Sequence, residues 1–265
     1  MTILRPALSL GTVLLLLLSG KIAHAQQSDA SLRVSFSLGS DYKHNGLSLT
    51  NSKPTARVSA DYEHPSGFFA GGFVSNVDFA AEASFRKPRR YEANLYAGYF
   101  WRGTNWAANV SLARYLYPEL IINYDYTQAS VNFSFHDKFF FGATRSSDYL
   151  SIYRNSHQYR AGLVQPTVLD LEIGLNAGRF RSEGAFYTAY SFWDIGLSRA
   201  LGRFALDLRY HDNTYGRASL LGDSGTDRWV FSVTTALLPR ARQQVLRQDR
   251  DNLFHQTIAL SRGRH

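Results

Sequence analysis

From Tyr91 to Tyr115 the chain reads YEANLYAGYFWRGTNWAANVSLARY, and every second residue from Tyr91 is Tyr, Ala, Leu, Ala, Tyr, Trp. Glu92 and Asn94 lie between them. After Arg102-Gly103-Thr104 the alternation resumes with Trp106, Ala108, Val110 and Leu112, while Asn109 and Ser111 face the other way. A period of two is the signature of a strand with one apolar and one polar face. The pattern recurs along the chain and predicts twelve strands: 31–43, 54–63, 67–78, 89–101, 105–117, 121–135, 138–146, 155–164, 168–180, 187–199, 203–214 and 226–237. No helical period interrupts them, so the class is all-β.

The connections fall into two kinds. After the even-numbered strands they are tight (HPSG, RGT, HDK, QPT, LG) and carry hairpin residues. After the odd-numbered strands all are longer except YPEL. Short turns at one end and long loops at the other fit an outer-membrane barrel. Alternation alone also fits a soluble sandwich with its apolar face turned inward. Strand length separates the two readings. Many of these segments reach ten residues or more, as a tilted span requires, whereas ordinary strands run about 5–6. Aromatic pairs beside the tight turns (Tyr62 and Phe69, Trp101 and Trp106, Phe135 and Phe139) suggest an interfacial belt. Backbone groups facing lipid must all be paired, so the sheet is expected to close. The fold expected is a closed antiparallel transmembrane β-barrel of about twelve strands with a short basic C-terminal tail.

The N-terminus supplies the route. Arg5, an apolar run from about Leu8 to Leu18 and the triplet Ala23-His24-Ala25 have the layout of a cleavable signal peptide over 1–25. The run is shorter than the roughly 20 residues of a spanning helix. The barrel is expected over 26–238 and a basic periplasmic tail over 239–265, where six arginines face Asp249 and Asp251. Residues 26–238 hold 21 basic and 19 acidic groups, which is no nucleic-acid footprint. The chain has no cysteine, so disulfides and thiolate metal sites are excluded.

The stretch Ser40–Phe79 carries Ser40-Asp41-Tyr42, Gly46/Ser48/Thr50, Asp61-Tyr62, Gly67-Phe68/Gly71 and Ser75-Asn76-Val77-Asp78, followed by YEANLYAGY. In these motifs it resembles the TorF-type porin family of proteobacteria, clearly over about 36–100 and in general pattern beyond. The resemblance implies an outer-membrane barrel with a porin role. Family members commonly carry Arg before the glycine and Gln between the Ser and Thr, where this chain has Asn45 and Leu49.

The polar face of the expected strands carries Arg33, Asp41, Lys43, Arg57, Asp61, Asp78, Glu92, Arg160, Asp170, Glu172, Asp194, Asp207, Arg209, His211 and Arg228. These are the candidate pore-lining residues, with both signs interleaved. The function expected is a porin-like channel for passive diffusion of small polar solutes or ions across the outer membrane of a Gram-negative cell. The alternatives are a non-conducting structural or ligand-binding barrel, and a membrane-embedded lipid hydrolase built around His211. Hydrolysis needs a base within reach of its nucleophile, and the pattern singles out no catalytic pair, so no enzymatic activity is expected. No cofactor motif or zinc spacing is present; Asp223, Ser224 and Asp227 in a Gly-rich loop read as a solvated turn before a calcium site. The partners expected are outer-membrane lipids and lipopolysaccharide, the solutes, and the barrel assembly machinery during insertion. The oligomeric state is left open.

Overall fold

The computed structural model describes residues 30–78, 91–118, 123–151, 154–183, 188–215 and 225–237. The expected signal peptide (1–25) and basic tail (239–265) lie outside the described residues, as do Asp223 and Ser224.

Among the described residues fourteen strands are present: β1 (Ser31–Gly39), β2 (Lys43–His44), β3 (Leu47–Ser48), β4 (Thr55–Glu63), β5 (Phe68–Asn76), β6 (Tyr91–Arg102), β7 (Trp106–Leu116), β8 (Tyr126–Phe135), β9 (Phe139–Ser146), β10 (Ser156–Pro166), β11 (Leu171–Ser182), β12 (Thr188–Leu201), β13 (Phe204–Asn213) and β14 (Arg228–Ala236). All but β2 and β3 form one closed antiparallel barrel, in the order β1-β14-β13-β12-β11-β10-β9-β8-β7-β6-β5-β4. Each barrel strand therefore pairs with its sequence neighbours, and β1 closes on β14 with Phe36 opposite Thr235. Ser37 and Thr234 share a hydroxyl–hydroxyl bond of 2.8 Å across that seam.

The two faces of the sheet are inverted relative to a water-soluble protein. On β6, Leu95 is 60% exposed, while Glu92 and Asn94 are fully buried. On β7 and β8, Leu112, Val131 and Phe133 stand exposed on the outside, while Asn109, Ser130 and Asn132 are buried within. Burying polar groups and exposing aliphatic ones is stable where the surroundings are hydrocarbon. No second layer of the described chain covers the outer face, so the sandwich alternative falls.

Aromatic side chains mark both rims of the exterior. Near the tight turns, Tyr99 and Trp101 lie 5.1 Å apart and Trp106 stacks on Phe133 at 6.4 Å. Towards the long loops, Trp193, Tyr210 and Trp229 form a chain at 5.7 and 5.4 Å. Phe69, expected in the belt, is a correction. It pairs with Glu63 and Gly98 in register on the inner face, and Phe68 is the exposed ring. A Cβ at Gly98 would stand 2.5 Å from the Phe69 ring, so the missing side chain makes room for it.

Expected boundaries also shift: β8 starts at Tyr126, not at 121. β1 stops at Gly39, not at residue 43, because the chain turns there into a small hairpin. β11 starts at Leu171, not at 168. Asp170 is consequently an exposed residue of the β10–β11 turn, with φ of 55°. Its short polar side chain tolerates that left-handed conformation, so it does not share the inward face of Glu172.

Candidate channel site

The candidate channel has three levels. At the long-loop end, residues 40–54 fold over the barrel mouth as an ordered loop. Its tip is the two-residue hairpin Asn45-Gly46, with φ of 53° and 79° and His44 opposite Leu47. Positive φ at both positions defines the turn type that Asn-Gly favours. Asp41 holds the base of the loop: its Oδ1 accepts from Ser48 Oγ at 2.5 Å and Thr50 Oγ1 at 2.7 Å. Lys43 Nζ and Arg228 Nη1 stand 3.7 and 3.9 Å from its Oδ2. A carboxylate this deeply buried is tolerated only with such compensation. The Gly-x-Ser-x-Thr motif therefore has a structural role, since Gly46 makes the turn and Ser48 and Thr50 fasten it to Asp41.

The loop reaches several walls. Asn213 Nδ2 donates to Gly46 O at 3.0 Å on one side. On another, Tyr42 Oη donates to Glu92 at 3.3 Å, and His44 packs edge-on against Tyr115. Around it runs an inward arc of rings. Tyr115 stacks on Tyr126 at 4.5 Å, Tyr126 meets Tyr149 at 4.9 Å, Tyr149 meets Phe180 at 5.2 Å, and Phe180 meets Tyr190 at 5.3 Å. Arg57 lies between Tyr42 and Phe73, 4.3 and 4.2 Å from the ring centroids, a cation–π arrangement that satisfies a desolvated guanidinium. Burial shapes the ionisation of the loop. It lowers the Lys43 ammonium against the pull of Asp41. It also holds the His44 imidazole down at about 3, with Arg160 and Arg57 adding to the effect.

The middle level is a polar girdle. Asn132 donates to Asn109 at 3.0 Å. Arg209 bonds Asp194 at 2.6 Å and Asp207 at 3.1 Å; Asn176 donates to Asp194 at 2.9 Å and Ser198 to Asp207 at 2.7 Å. Arg209 lies flat on the wall because Gly174 and Gly196 have no side chains there; a Cβ would meet its guanidinium at 3.1 and 2.9 Å. His211 Nδ1 is 3.9 Å from Asp194, and buried Arg160 faces Gly142 and Gly178 in register.

The tight-turn level holds Arg33 opposite Asp61 in register, with Tyr96 donating to Asp61. Glu172 is half-buried at the start of β11.

Of the candidate residues, Arg33, Arg57, Asp61, Glu92, Arg160, Glu172, Asp194, Asp207, Arg209 and His211 lie on the inner face of barrel strands. Asp41 and Lys43 come to the interior on the loop, and Arg228 reaches it from the first position of β14, donating to Ser52 O at 3.1 Å. Asp78 stands past the end of β5 at the mouth, 2.5 Å from Lys53 Nζ. Asp170 lies outside. Sequence reading missed Glu63 and Arg102, although both follow the inward parity of their strands, and missed the tyrosine arc. Tyr115 and Tyr117 continue the face of Asn109 and Ser111, so the signal was present.

The model of a family described as "Bacterial protein of unknown function (Gcw_chp)" matches residues 23–237. A comparison with curated proteins finds no match. Among solved structures, the KdgM porin is similar with a TM-score of 0.50 at 8% identity, over 78% of this chain and 100% of that one. The NanC porin is similar with a TM-score of 0.50 at 9% identity, again over 78% and 100%. At these identities the likeness is one of fold. With a polar-lined, twelve-stranded closed barrel of the kind porins have, this chain belongs to the bacterial Gcw_chp family.

Proposed function

We propose that this protein is a narrow outer-membrane channel for passive diffusion of small polar solutes or ions, constricted on its outer side by the 40–54 loop. The observation that carries the reading is the inversion of the barrel: an aliphatic exterior around an interior of arginines, carboxylates and amides. Charges of both signs line the path, so the field varies along it and does not select one sign throughout. The TorF-type motifs at Ser40–Phe79 support the same reading and fall mainly on the constricting loop and its neighbouring strands. Eight strands are filled by side chains and sixteen leave an open channel; twelve strands plus an inward loop suit a small conductance.

The specific observation for a non-conducting barrel is the closeness of the outer level, where Tyr115, Tyr126 and Glu92 are almost fully buried. One measurement separates the two. Purified protein in planar bilayers gives small, discrete current steps if it is a channel, and the reversal potential in a salt gradient gives its ion preference. Silent bilayers that contain folded protein leave the structural reading.

Lipid hydrolysis draws little support. Ser198 Oγ donates its hydrogen bond to Asp207, not to a histidine. His64 meets Ser66 at 2.8 Å, but both are exposed in one tight turn, where Ser66 N also donates to the ring; such local bonds close turns.

A further inference from the structure

Among the described residues, the lipid-facing exterior bears a row of basic side chains. Arg145, His157 and Arg181 are directly opposite one another on β9, β10 and β11. Each sits one residue from the long-loop end of its strand. Arg179, one step down the same outer face of β11, is opposite Tyr159, which is 61% exposed. The parity is outward: the neighbours Ser146, Ser156, Gln158, Phe180 and Ser182 are the buried ones.

Like charges held close together on one face repel. Adjacent strands are about 4.8 Å apart, so the Arg145 and Arg181 backbones are only about 10 Å from each other with His157 between them. Glu183 stands 3.9 Å from Arg181 Nη2, with both side chains about half exposed; a pair so solvated contributes little. Arg179 Nη1 donates to Ser191 at 3.3 Å, and its side chain is exposed. Below the row come Tyr159, Ala177 and Leu175, then Ile173. On the next strand, the rim aromatic Trp193 is opposite Ala177, about two residues beneath Arg179. The row thus stands just above the hydrocarbon boundary, at headgroup height.

We infer that the outer rim of β9–β11 is a docking site for the phosphate groups of an acylated, phosphorylated sugar lipid in the outer leaflet, with Arg145, Arg179 and Arg181 as its main ligands and His157 between them. Arginine forks match phosphate oxygens in pairs, and an anion spanning the row removes the repulsion within it. Exposed Tyr159 offers a ring to the sugar–acyl junction just beneath. The inference rests on the reading of the barrel as an outer-membrane protein.

The test uses the full chain folded in uncharged detergent, with diphosphoryl lipid A as the probe and native mass spectrometry as the readout. Folding is checked by the shift of unheated protein on gels. The wild type is expected to retain one lipid A, and Arg145→Gln/Arg181→Gln to bind it at least about tenfold more weakly, as the loss of a charged hydrogen bond implies. Equal binding by a folded double variant overturns the site. So does equal binding of lipid A stripped of phosphate, or full displacement by millimolar inorganic phosphate, which marks a plain anion site. Failure of the channel reading looks different: bilayers stay silent while lipid A binding persists.

Discussion

The Arg209 guanidinium and the Asp194 carboxylate, each with a side chain about 5% exposed, meet at 2.6 Å against a patch of wall kept bare by glycine. Asp207 shares the same cation. Removing one partner of such a group leaves buried charge behind. Arg209→Met is therefore expected to destabilise the barrel by about 3–5 kcal/mol. Combining it with Asp194→Asn and Asp207→Asn should recover much of the loss. Urea unfolding in detergent micelles, followed by tryptophan fluorescence, reads both.

The loop over the mouth depends on Asp41. Asp41→Ala deprives Ser48 and Thr50 of their shared acceptor and leaves Lys43 and Arg228 facing each other. Each hydrogen bond to a charged group is worth about 1.5–3 kcal/mol, enough to release the loop while the strands stay paired. The expected result is a larger single-channel current and new protease cleavage within 40–54, with a smaller change in the unfolding midpoint.

His44 makes the docked loop sensitive to acid. Its folded value of about 3 lies below the ordinary imidazole value of about 6.5. The undocked loop therefore binds a proton more readily, and docking is at full strength above about pH 6.5 and weakens as pH falls towards 3. Arg160 from β10 and Arg57 from β4 face the ring, as does Tyr115 from β7, and the two cations oppose its protonation. Channel current is expected to rise between pH 6.5 and 5 in the wild type and to stay flat over that interval in His44→Leu.

Leu112 tests what surrounds the cylinder. It is 61% exposed on the outer face of β7. In hydrocarbon, Leu112→Arg is expected to cost about 2–4 kcal/mol if the position lies near the bilayer midplane. At an exposed site in water the same change is close to neutral. Folding free energies into phosphatidylcholine vesicles distinguish the two.

Strand number, closure and the two faces were legible because parity is a local property: Leu95 and Asn94 betray their sides without reference to the rest of the chain. Where a strand ends was less legible. Asp170 alternates correctly with Glu172, yet the turn takes it, because hairpin geometry and not hydrophobicity decides the last pairs. Phe69 shows a related conflict: its nearness to a turn suggests the belt, while its parity places it inside. The inward loop could not be derived from pattern. Asn45-Gly46 announces a turn, but only the tertiary approach of Glu92, Tyr115 and Asn213 makes that turn a constriction.

The seam between β1 and β14 joins residues nearly two hundred positions apart, Ser37 and Thr234 among them. Every other barrel pairing can form between neighbours as the chain is laid down, whereas this one carries the full loop-closure entropy of the polypeptide. Assembly is thus expected to finish there, with a curled open sheet as the last species before the cylinder locks. A lesion confined to that stitch would then slow maturation far more than it loosens the finished wall.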